Sequence, residues 1–348
     1  MKSKLKCSVL GATGMVGQKF VELLSNHPWF EVANVAASDR SDGKRYADAA
    51  RWVLNSSVPP ELTNLTVTTC DPKAVGDVDV VFSALPADVA KSTEEDFARA
   101  GYAVLSNASS HRMAPDVPLL NPEINADHVV LIEEQRRRRK WDGAIVTNPN
   151  CTTAVLTMPL KPIMDHFGIA VVIMTSMQAL SGAGYPGVAS LDIVDNVLPY
   201  IRNEEEKVQI ETVKILGSCE KAAAFNVSAS CNRVATLDGH LETVFVQTEK
   251  PATPTDVAEA MKAFEGEPQK LKLPSAPFPP IVVRSEDDRP QPRLDRMAGG
   301  GMAVTVGRIR PDPGLGGVKF LVLGHNTIRG AAGCSIINAE VLKTKGYV

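Results

Sequence analysis

The sequence lacks the features that direct a chain to a membrane, to a nucleic acid or to the secretory pathway. It has no run of about eighteen apolar residues, so no transmembrane helix is expected. Residues 1–6 lead straight into an apolar strand, which leaves no room for a signal peptide. The formal net charge is only −3, so neither nucleic acid nor an anionic membrane would attract the chain as a whole. We therefore expect a cytoplasmic protein whose ligands are small molecules.

The six cysteines do not form the pattern of a metal site or of a disulfide framework. None belongs to a Cys-x-x-Cys pair, and none has a histidine nearby at ligand spacing, so no metal site is expected. Without a secretory signal, the thiols should remain reduced. The chemistry of individual thiols is therefore the remaining question.

Length and composition indicate a globular enzyme of two domains. At 348 residues, the chain exceeds the usual size of a single hydrophobic core. Its content of 44% hydrophobic and 22% charged residues is ordinary for a folded protein and argues against disorder.

A glycine-rich turn lies between the first predicted strand and the first predicted helix. Strand 7–10 enters the segment Gly11-Ala-Thr-Gly14-Met-Val-Gly17, a helical pattern follows, and a second strand is predicted over 31–37. Such a βαβ unit places the pyrophosphate of a dinucleotide at the helix N-terminus. The Gly-x-x-Gly-x-x-Gly spacing alone could serve a tight turn, but the flanking strand and helix favour a dinucleotide site.

Strands and helices alternate through the first half of the chain, and the pattern changes after residue 150. Strands over 78–82 and 102–105, separated by a helix over 88–100, favour a parallel, doubly wound sheet. Later apolar strands are predicted over 170–175, 225–230, 241–248, 302–308 and 319–323. They suggest that the second half of the chain forms a mixed, more antiparallel sheet. A last helix over 326–343 could return to the first domain, and the basic run 136–140 should be a solvated excursion between strands.

Cys151 stands at a turn between a predicted strand and a predicted helix. Strand 143–147 is followed by Asn148-Pro149-Asn150, and a helical pattern then runs from Cys151 to about residue 166. A thiol at a helix N-terminus faces unpaired N–H groups and the positive end of the helix dipole, which favour the thiolate. The same N–H groups could hold an oxyanion after the sulfur attacks a carbonyl. Taken alone, the segment is equally compatible with a buried structural cysteine.

The dinucleotide turn and the cysteine together indicate one class of reaction. A thiolate attacks an acyl carbonyl, and a nicotinamide exchanges hydride with the resulting thioester or thiohemiacetal. This chemistry needs an acid or base at the sulfur and cations for an anionic substrate. Residues able to provide them lie in the stretches 178–184, 204–207 and 233–242.

Several stretches of the chain resemble, in the same order, motifs of the aspartate-β-semialdehyde dehydrogenase family in its archaeal and fungal branch. They are GATGMVGQ (11–18), ASDRSDGK (37–44), SNASSHR (106–112), NPNCTT (148–153), QALSGAG (178–184), NEEEK (203–207), RVATLDGHLE (233–242) and NTIRGAA (326–332). Each motif alone is modest evidence for the family, but all of them occur in the family's order over nearly the whole chain, which makes the resemblance specific.

The resemblance implies a fold and a reaction. The fold is α/β, with an N-terminal Rossmann-like dinucleotide-binding domain and an α+β catalytic and dimerisation domain that contains a mixed sheet. We expect the first domain to comprise residues 1–150 with a C-terminal helix over about 326–348, and the second to comprise residues 151–325. The reaction is NADPH-dependent reductive dephosphorylation of L-aspartyl-4-phosphate to L-aspartate 4-semialdehyde, or its phosphate-requiring reverse. It belongs to the biosynthesis of lysine, threonine, methionine and isoleucine, and a homodimer or homotetramer is implied.

By position, three residues match the catalytic residues of that family. Cys151 matches the nucleophile that becomes the acyl-thioester, His240 the general acid/base, and Gln178 the residue that orients the bound intermediate. An imidazole suits proton transfer near neutral pH. Taken singly, His240 could be a loop histidine and Gln178 a polar residue at a strand end.

The substrate-binding residues implied by the resemblance are Arg112, Asn150, Glu204, Lys207 and Arg233. Arg233 matches the arginine that binds the substrate carboxylate, a task suited to a bidentate guanidinium. Arg112 and Lys207 match the phosphate-binding cations, and Glu204 matches the carboxylate near the substrate amino group. A surface ion pair of Arg233, or an exposed Glu204–Lys207 pair on a helix, would be the structural alternative.

The cofactor-binding residues implied by the resemblance are Gly11, Thr13, Gly14, Met15, Val16, Ser38, Arg40, Ser41, Lys44, Ser181, Gly182 and Asn326. The loop after the second strand offers two cations, Arg40 and Lys44, for the 2′-phosphate of NADP. An acidic residue here usually binds the free ribose hydroxyl of NAD, so Asp39 is an argument for NAD. The match to the family's loop favours NADP.

Two other functions remain open at this stage. A malonyl-CoA reductase on the same scaffold would keep Cys151, His240 and the cofactor turn but would need no partner for an amino group. A non-catalytic NADP-sensing protein could also keep the fold. It would have little reason to retain the nucleophile, the acid/base and the anion-binding residues together.

Overall fold

The computed structural model describes residues 3–348, which divide into two compact units. The first unit takes in the chain up to Leu120, together with Asp127–Pro149 and Ala331–Val348, and the second comprises Asn121–Ala126 and Asn150–Gly330. The chain passes from one unit to the other at the turn before Cys151. These bounds assign 121–126 to the second unit and start the returning C-terminal segment at Ala331.

The strands and helices of residues 3–348 have the following bounds. The strands are β1 Leu5–Leu10, β2 Phe30–Ala37, β3 Val67–Thr69, β4 Val80–Ser83, β5 Ala103–Ser106, β6 Ala144–Thr147, β7 Val171–Gln178, β8 Asn226–Arg233, β9 His240–Gln247, β10 Ile281–Val283, β11 Val304–Asp312 and β12 Gly317–Gly324. The helices are α1 Met15–Leu24, α2 Tyr46–Ala49, α3 Ala87–Arg99, α4 Pro122–Asn125, α5 Leu131–Arg139, α6 Cys151–Phe167, α7 Ser190–Ile193, α8 Glu204–Ile215, α9 Pro254–Lys262, α10 Glu267–Lys270, α11 Pro292–Asp295 and α12 Gly333–Lys345.

The first unit is built on a parallel sheet of order β3-β2-β1-β4-β5-β6. Each neighbouring pair is parallel, and strands such as Val80–Ser83 and Ala144–Thr147 are buried along their whole length. Near-continuous apolar strands are typical of a parallel sheet covered on both faces. From β1 the sheet extends through β2 and β3 on one side and through β4, β5 and β6 on the other, so the direction of strand order changes between β1 and β4. Open α/β sheets bind ligands at such a point, and the glycine turn follows β1.

The second unit contains a mixed sheet of order β10-β11-β12-β9-β7-β8. Strands β7 and β8 run parallel, whereas β9 is antiparallel to β7 and to β12. Alternate side chains of β7 and β9 are buried, so one face of the sheet packs on the core of this unit. The predicted fold class, a Rossmann-like domain followed by a domain with a mixed sheet, is confirmed.

The basic run 136–140 is mostly exposed and lies between strands β5 and β6. Residues 136–139 form the last turn of helix α5, where Arg137 bonds Glu134 and Arg139 bonds Asp116, and Lys140 is the C-cap residue. Two local features differ from the sequence-based expectations. Strands β3 and β10 have only three residues each, too few for their alternation to be seen in the sequence. The C-terminal segment starts with a π-helical turn, Ile328–Ala332, before α12.

Candidate active site

The topology of the second sheet brings the candidate residues of β7, β8 and β9 to the same ends of these neighbouring strands. Gln178 ends β7, and Arg233 lies opposite it at the end of the parallel strand β8. Because β9 runs antiparallel to β7, its first residue, His240, lies at the same end. Side chains that are far apart in the sequence therefore converge through strand direction alone.

Helix α6 begins at Cys151 because Asn150 caps it. The Oδ1 atom of Asn150 accepts the backbone N–H groups of Thr152 (2.9 Å) and Thr153 (3.3 Å). These two N–H groups are therefore committed to the cap and are not available to an oxyanion. Thr152 and Thr153 are buried, whereas Cys151 is only partly buried and remains accessible.

Cys151 and His240 form a close pair with a defined protonation pattern. The Sγ atom of Cys151 lies 3.2 Å from Nε2 of His240, while the backbone N–H of Ala179 donates to Nδ1 at 3.1 Å. Since a backbone N–H can only donate, Nδ1 is unprotonated and the neutral ring carries its proton on Nε2. His240 therefore presents an N–H donor to the sulfur, the arrangement that stabilises a thiolate.

His240 is held in its neutral form. The ring is fully buried, and this burial, together with Arg233 and His325, lowers the pKa of His240 to about 3. The imidazole therefore stays uncharged through the neutral pH range.

Glu204 is the inward-facing member of the 204–206 run. Its Oε1 atom accepts hydrogen bonds from Asn150 Nδ2 (2.9 Å), Gln178 Nε2 (3.1 Å) and Thr152 Oγ1 (3.3 Å). Glu205 accepts the backbone N–H of Cys231 instead, and Glu206 is exposed. The helical geometry of α8 thus selects one carboxylate of the three for the site.

Arg233 is buried next to His240 under a turn that contains Gly182. Its Nη1 atom donates to the carbonyl oxygen of Ala179 at 2.8 Å. A Cβ atom on Gly182 would lie 2.6 Å from Nη1 of Arg233 and 3.1 Å from the His240 ring. Any larger residue at this position would have to displace the end of the Arg233 side chain.

Asn326 connects two parts of the second unit. Its Nδ2 atom donates to Oγ of Ser181 (2.8 Å), and its Oδ1 atom accepts the backbone N–H of Gly239 (2.8 Å). The amide therefore links the 180–183 turn to the residue that precedes His240. Lys207 is partly buried one turn along α8 from Glu204.

Sequence reasoning missed several groups of this site. Ala179 contributes only backbone atoms, and these leave no side-chain signal. Glu211, which accepts the backbone N–H of Asn150 at 2.6 Å, is seven residues from Glu204 and shares its helix face, so helical spacing could have revealed it. Glu242 is fully buried, and burial together with Glu204 raises its pKa well above the ordinary value.

The glycine turn of the first unit packs closely on neighbouring backbone and leaves the start of α1 without a side-chain cap. Gly11 has φ +72°, and a Cβ atom there would lie 2.8 Å from the carbonyl oxygen of Ala84. Gly14, the exposed N-cap residue of α1, has no side chain with which to cap the N–H groups that follow. Gln18 and Tyr46 brace the turn by donating to the carbonyl oxygens of Thr13 (2.9 Å) and Ala12 (2.8 Å).

The remaining predicted cofactor residues of this unit lie on that turn and after β2. Met15 and Val16 begin α1, and Ser38, Arg40, Ser41 and Lys44 follow β2. Ser38, Arg40 and Lys44 are exposed and Ser41 is partly exposed. Arg40 and Lys44 are thus exposed to solvent beyond the C-terminal end of β2, and the glycine turn follows the C-terminal end of the neighbouring strand β1.

Arg112 is buried in the first unit beside a buried carboxyl. It donates to the carbonyl oxygen of Asn107 at 2.8 Å. Nearby, Glu94 accepts hydrogen bonds from Ser83 (2.6 Å) and Ser106 (2.7 Å), and burial raises its pKa to about 7. Burial also lowers the pKa of His111, whose Nε2 lies 3.8 Å from Glu94.

Residues 3–348 contain neither a candidate metal centre nor a candidate membrane-spanning helix. No cluster of three or more His, Cys, Asp or Glu side chains is placed to hold a metal ion in this part of the chain. None of its helices combines the length and the apolar character that a membrane span requires.

Comparisons with known proteins match both halves of the chain. Residues 6–132 match the family described as "Semialdehyde dehydrogenase, NAD binding domain", and residues 160–329 match "Semialdehyde dehydrogenase, dimerisation domain". The aspartate-semialdehyde dehydrogenase of Methanothermobacter thermautotrophicus is 54% identical over 96% of this chain and 97% of its own length. The crystal structure of aspartate-semialdehyde dehydrogenase with NADP from Candida albicans superposes with a TM-score of 0.91 at 43% identity, over 99% of this chain and 100% of that one.

One relative carries a different name. The malonyl-CoA reductase (NADP) of Metallosphaera sedula is 44% identical over 100% of this chain and 99% of its own length. It is thus less similar to this chain than the M. thermautotrophicus relative. The resemblance drawn from the ordered motifs is confirmed: the chain belongs to the aspartate-semialdehyde dehydrogenase family.

Proposed function

We propose that this protein catalyses the NADPH-dependent reductive dephosphorylation of L-aspartyl-4-phosphate to L-aspartate 4-semialdehyde, and the reverse reaction with phosphate. The observation that carries the proposal is the Cys151–His240 pair at the start of α6, with Sγ 3.2 Å from Nε2. The reaction supplies a precursor for the biosynthesis of lysine, threonine, methionine and isoleucine. A catalytic thiol that must stay reduced suits the cytoplasm.

Cys151 is the nucleophile of this proposal. Its thiolate attacks the acyl carbon of aspartyl phosphate, the C–S bond forms, and the C–O bond to phosphate breaks with release of phosphate. NADPH, when bound, supplies the hydride that reduces the resulting thioester. Cleavage of the C–S bond then gives the aldehyde and restores the thiolate.

His240 controls the proton next to the sulfur. Its Nε2–H stabilises the thiolate before attack and again when the aldehyde leaves, and the same N–H could donate to an oxyanion formed at the acyl carbon. The neutral ring keeps this proton through the neutral pH range. Gln178, whose amide lies between Thr152 and Glu204, orients the acyl group on Cys151.

The charged groups of the substrate each have a partner in this proposal. Arg233 binds the α-carboxylate through its planar guanidinium. Glu204, with three hydrogen-bond donors on one oxygen, is held as the acceptor for the α-ammonium. Arg112 and Lys207 bind the phosphate, and Asn150 supports both the helix start and Glu204.

NADP fits the residues of the glycine turn and of the loop after β2. The uncapped start of α1 at Gly14 suits the pyrophosphate, with Gly11, Thr13, Met15 and Val16 around it. Exposed Arg40 and Lys44, with Ser38 and Ser41, suit the 2′-phosphate. In the second unit, the family resemblance adds Ser181, Gly182 and Asn326 as cofactor-binding residues, and they lie at the turn that adjoins His240.

A homodimer is part of the proposal. The face of the second sheet that points away from its core carries partly exposed apolar side chains, among them Val171, Ile173, Met177, Leu241 and Phe245. A second copy of the chain would bury this face, and the matched domain description of residues 160–329 agrees with that role. Ile173→Lys should lower the molar mass in sedimentation equilibrium to that of the monomer, and an unchanged mass would count against this face.

A coupled assay of NADPH oxidation tests the function. Purified protein should oxidise NADPH with aspartyl phosphate and should do so far less efficiently with malonyl-CoA. Malonyl-CoA lacks the amino group, so it would leave the buried Glu204 carboxylate without its partner. Equal efficiency with the two substrates would favour the malonyl-CoA reductase alternative, and no turnover with either would favour the NADP-sensing one.

A further inference from the structure

Arg329 is a fully buried cation to which the proposed reaction gives no role. It is the largest of the completely buried side chains among the described residues and belongs to the Asn326–Ala332 motif. Its Nη1 and Nη2 atoms donate to the two carboxylate oxygens of Glu123 at 2.6 and 2.7 Å, and Glu123 is also fully enclosed. A buried ion pair contributes little net stability, because desolvation offsets the attraction between the charges. The pair therefore calls for an explanation other than stability.

The Arg329–Glu123 pair is attached to the helix that begins with the nucleophile. Nη2 of Arg329 also donates to Oδ1 of Asn121 and lies 3.0 Å from Sδ of Met158 in α6. The Nδ2 atom of Asn121 in turn donates to the carbonyl oxygen of Ala154 (3.1 Å) and to Oγ1 of Thr157 (2.9 Å). The first two turns of α6 are thus held at several points by one polar cluster.

The residue that follows Arg329 packs directly on the nucleophile. A Cβ atom on Gly330 would lie 2.6 Å from Cβ and 2.9 Å from Cα of Cys151. The backbone N–H of Gly330 donates to the carbonyl oxygen of His325 at 3.0 Å, which closes the segment into a tight turn. Arg329 is thus one residue away from the backbone that packs on Cys151.

We propose that Arg329 and Glu123 are positioning residues that fix Cys151 at hydrogen-bonding distance from His240. The pair holds α6 through Asn121 and Met158 and holds the Gly330 backbone against the base of the thiol. This inference rests on the proposed role of Cys151 as the nucleophile. Neither Arg329 nor Glu123 needs to touch the substrate.

The main test replaces the whole ion pair by apolar side chains of similar size. The double variant Arg329→Met/Glu123→Leu leaves no buried charge alone, so it should fold with a Tm close to that of the wild type. We expect its kcat to fall about 100-fold while KM changes little, because a displacement of about 1 Å of the reacting atom has effects of that size. The matched control is Lys262→Met/Glu259→Leu, an exposed ion pair in the same unit, which should leave kcat unchanged.

A second readout needs no substrate. The rate of carboxamidomethylation of Cys151 by iodoacetamide, followed by peptide mapping at pH 7, should fall in the double variant because the thiolate loses its donor. A merely structural ion pair would leave this rate at the wild-type value. If wild-type protein failed to reduce aspartyl phosphate but the alkylation rate still depended on the pair, the proposed function would fail and the positioning role would stand.

Gly330→Ala decides the question if the double variant does not fold. The added methyl group collides with Cys151 alone among its nearest contacts, so kcat and the alkylation rate should both fall. Gly314→Ala is the control, since the nearest atom to its added Cβ would be 3.7 Å away. Wild-type kcat and alkylation rate in either folded test variant would overturn the proposal.

Discussion

The backbone N–H of Ala179 donates to Nδ1 of His240 at 3.1 Å, and this bond decides which ring nitrogen faces Cys151 with a proton. The carbonyl oxygen of the same residue accepts Nη1 of Arg233 at 2.8 Å. One backbone position therefore orients both the proposed acid/base and the proposed carboxylate-binding residue. Both bonds use backbone atoms, so the sequence gives no side-chain signal of this role.

Cys151→Ala should abolish turnover and leave NADP affinity nearly unchanged. The thiol contacts the acyl carbon in the proposed reaction, whereas the cofactor is held by the glycine turn and the loop after β2. Iodoacetamide should modify Cys151 fastest of the six cysteines, because Cys7, Cys231 and Cys334 are buried. Peptide mapping of the labelled protein checks this, and a fast label on Cys219 with Cys151 inert would contradict the assignment.

His240→Gln should remove a pH dependence from the free energy of unfolding. In the unfolded chain a histidine titrates near pH 6.5, whereas burial lowers the pKa of folded His240 to about 3. The contribution of this group is complete above pH 6.5 and is lost as the pH falls toward 3, by up to about 1.4 kcal/mol per pH unit. Urea denaturation between pH 4.5 and 8 should show the wild type losing stability relative to the variant below pH 6.5. A stability difference that does not change with pH would contradict the neutral, buried ring.

Arg40→Ala should penalise NADPH specifically. The exposed guanidinium is proposed to bind the 2′-phosphate, which NADH lacks, so kcat/KM should fall for NADPH and change little for NADH. Arg45→Ala is the matched control, because Arg45 lies in the same segment but pairs with Asp48 at 2.8 Å. Steady-state kinetics with both cofactors decides the matter, and equal efficiency of NADPH and NADH in the wild type would count against this loop as a 2′-phosphate site.

Arg233→Lys should lower kcat/KM strongly although the positive charge is kept. An ammonium cannot reproduce the planar, two-pronged contact with a carboxylate, and the loss of such a charged hydrogen bond corresponds to about 10- to 100-fold. Arg137→Lys, at an exposed ion pair with Glu134, is the control and should have no effect. If Arg233→Lys retained wild-type kcat/KM for aspartate semialdehyde, another residue would have to bind the α-carboxylate.

Glu94→Gln should stabilise the protein at neutral pH. Burial raises the pKa of Glu94 from 4.5 to about 7, so its favourable contribution is complete below pH 4.5 and is lost as the pH rises to 7. Glutamine stays neutral and keeps an oxygen for Ser83 and Ser106, so the variant should gain about 3 kcal/mol over the wild type across that interval. Urea denaturation at pH 4.5 and 7.5 measures the gain. Glu133→Gln, with its side chain 66% exposed, should follow the wild type at both values, and the same behaviour of Glu94→Gln would disprove the raised pKa.

Local patterns account for the order of strands and helices, for the glycine turn and for the position of Cys151 at a helix start. Each of these depends on neighbouring residues: apolar spacing, a capping Asn150, or glycines where the backbone must bend sharply. The resemblance to a family suggested roles for residues such as His240 and Arg233, because the order of the motifs that contain them can be read directly from the sequence. The ion partners of the basic run 136–140 could not be read from the sequence, since Asp116 lies outside the run.

Tertiary structure shows why Glu204, the glutamate that the family motif indicated, is the one of three adjacent glutamates that faces Asn150 and Gln178, because the orientation of α8 turns that side chain toward them. It also paired Arg329 with Glu123, 206 residues away in the sequence, and placed the backbone of Ala179 against His240. These contacts join residues whose spacing follows no helical or strand period, and some involve backbone atoms common to every residue type. They arise only when strand direction and helix packing bring distant parts of the chain together, since no local pattern encodes such a distance.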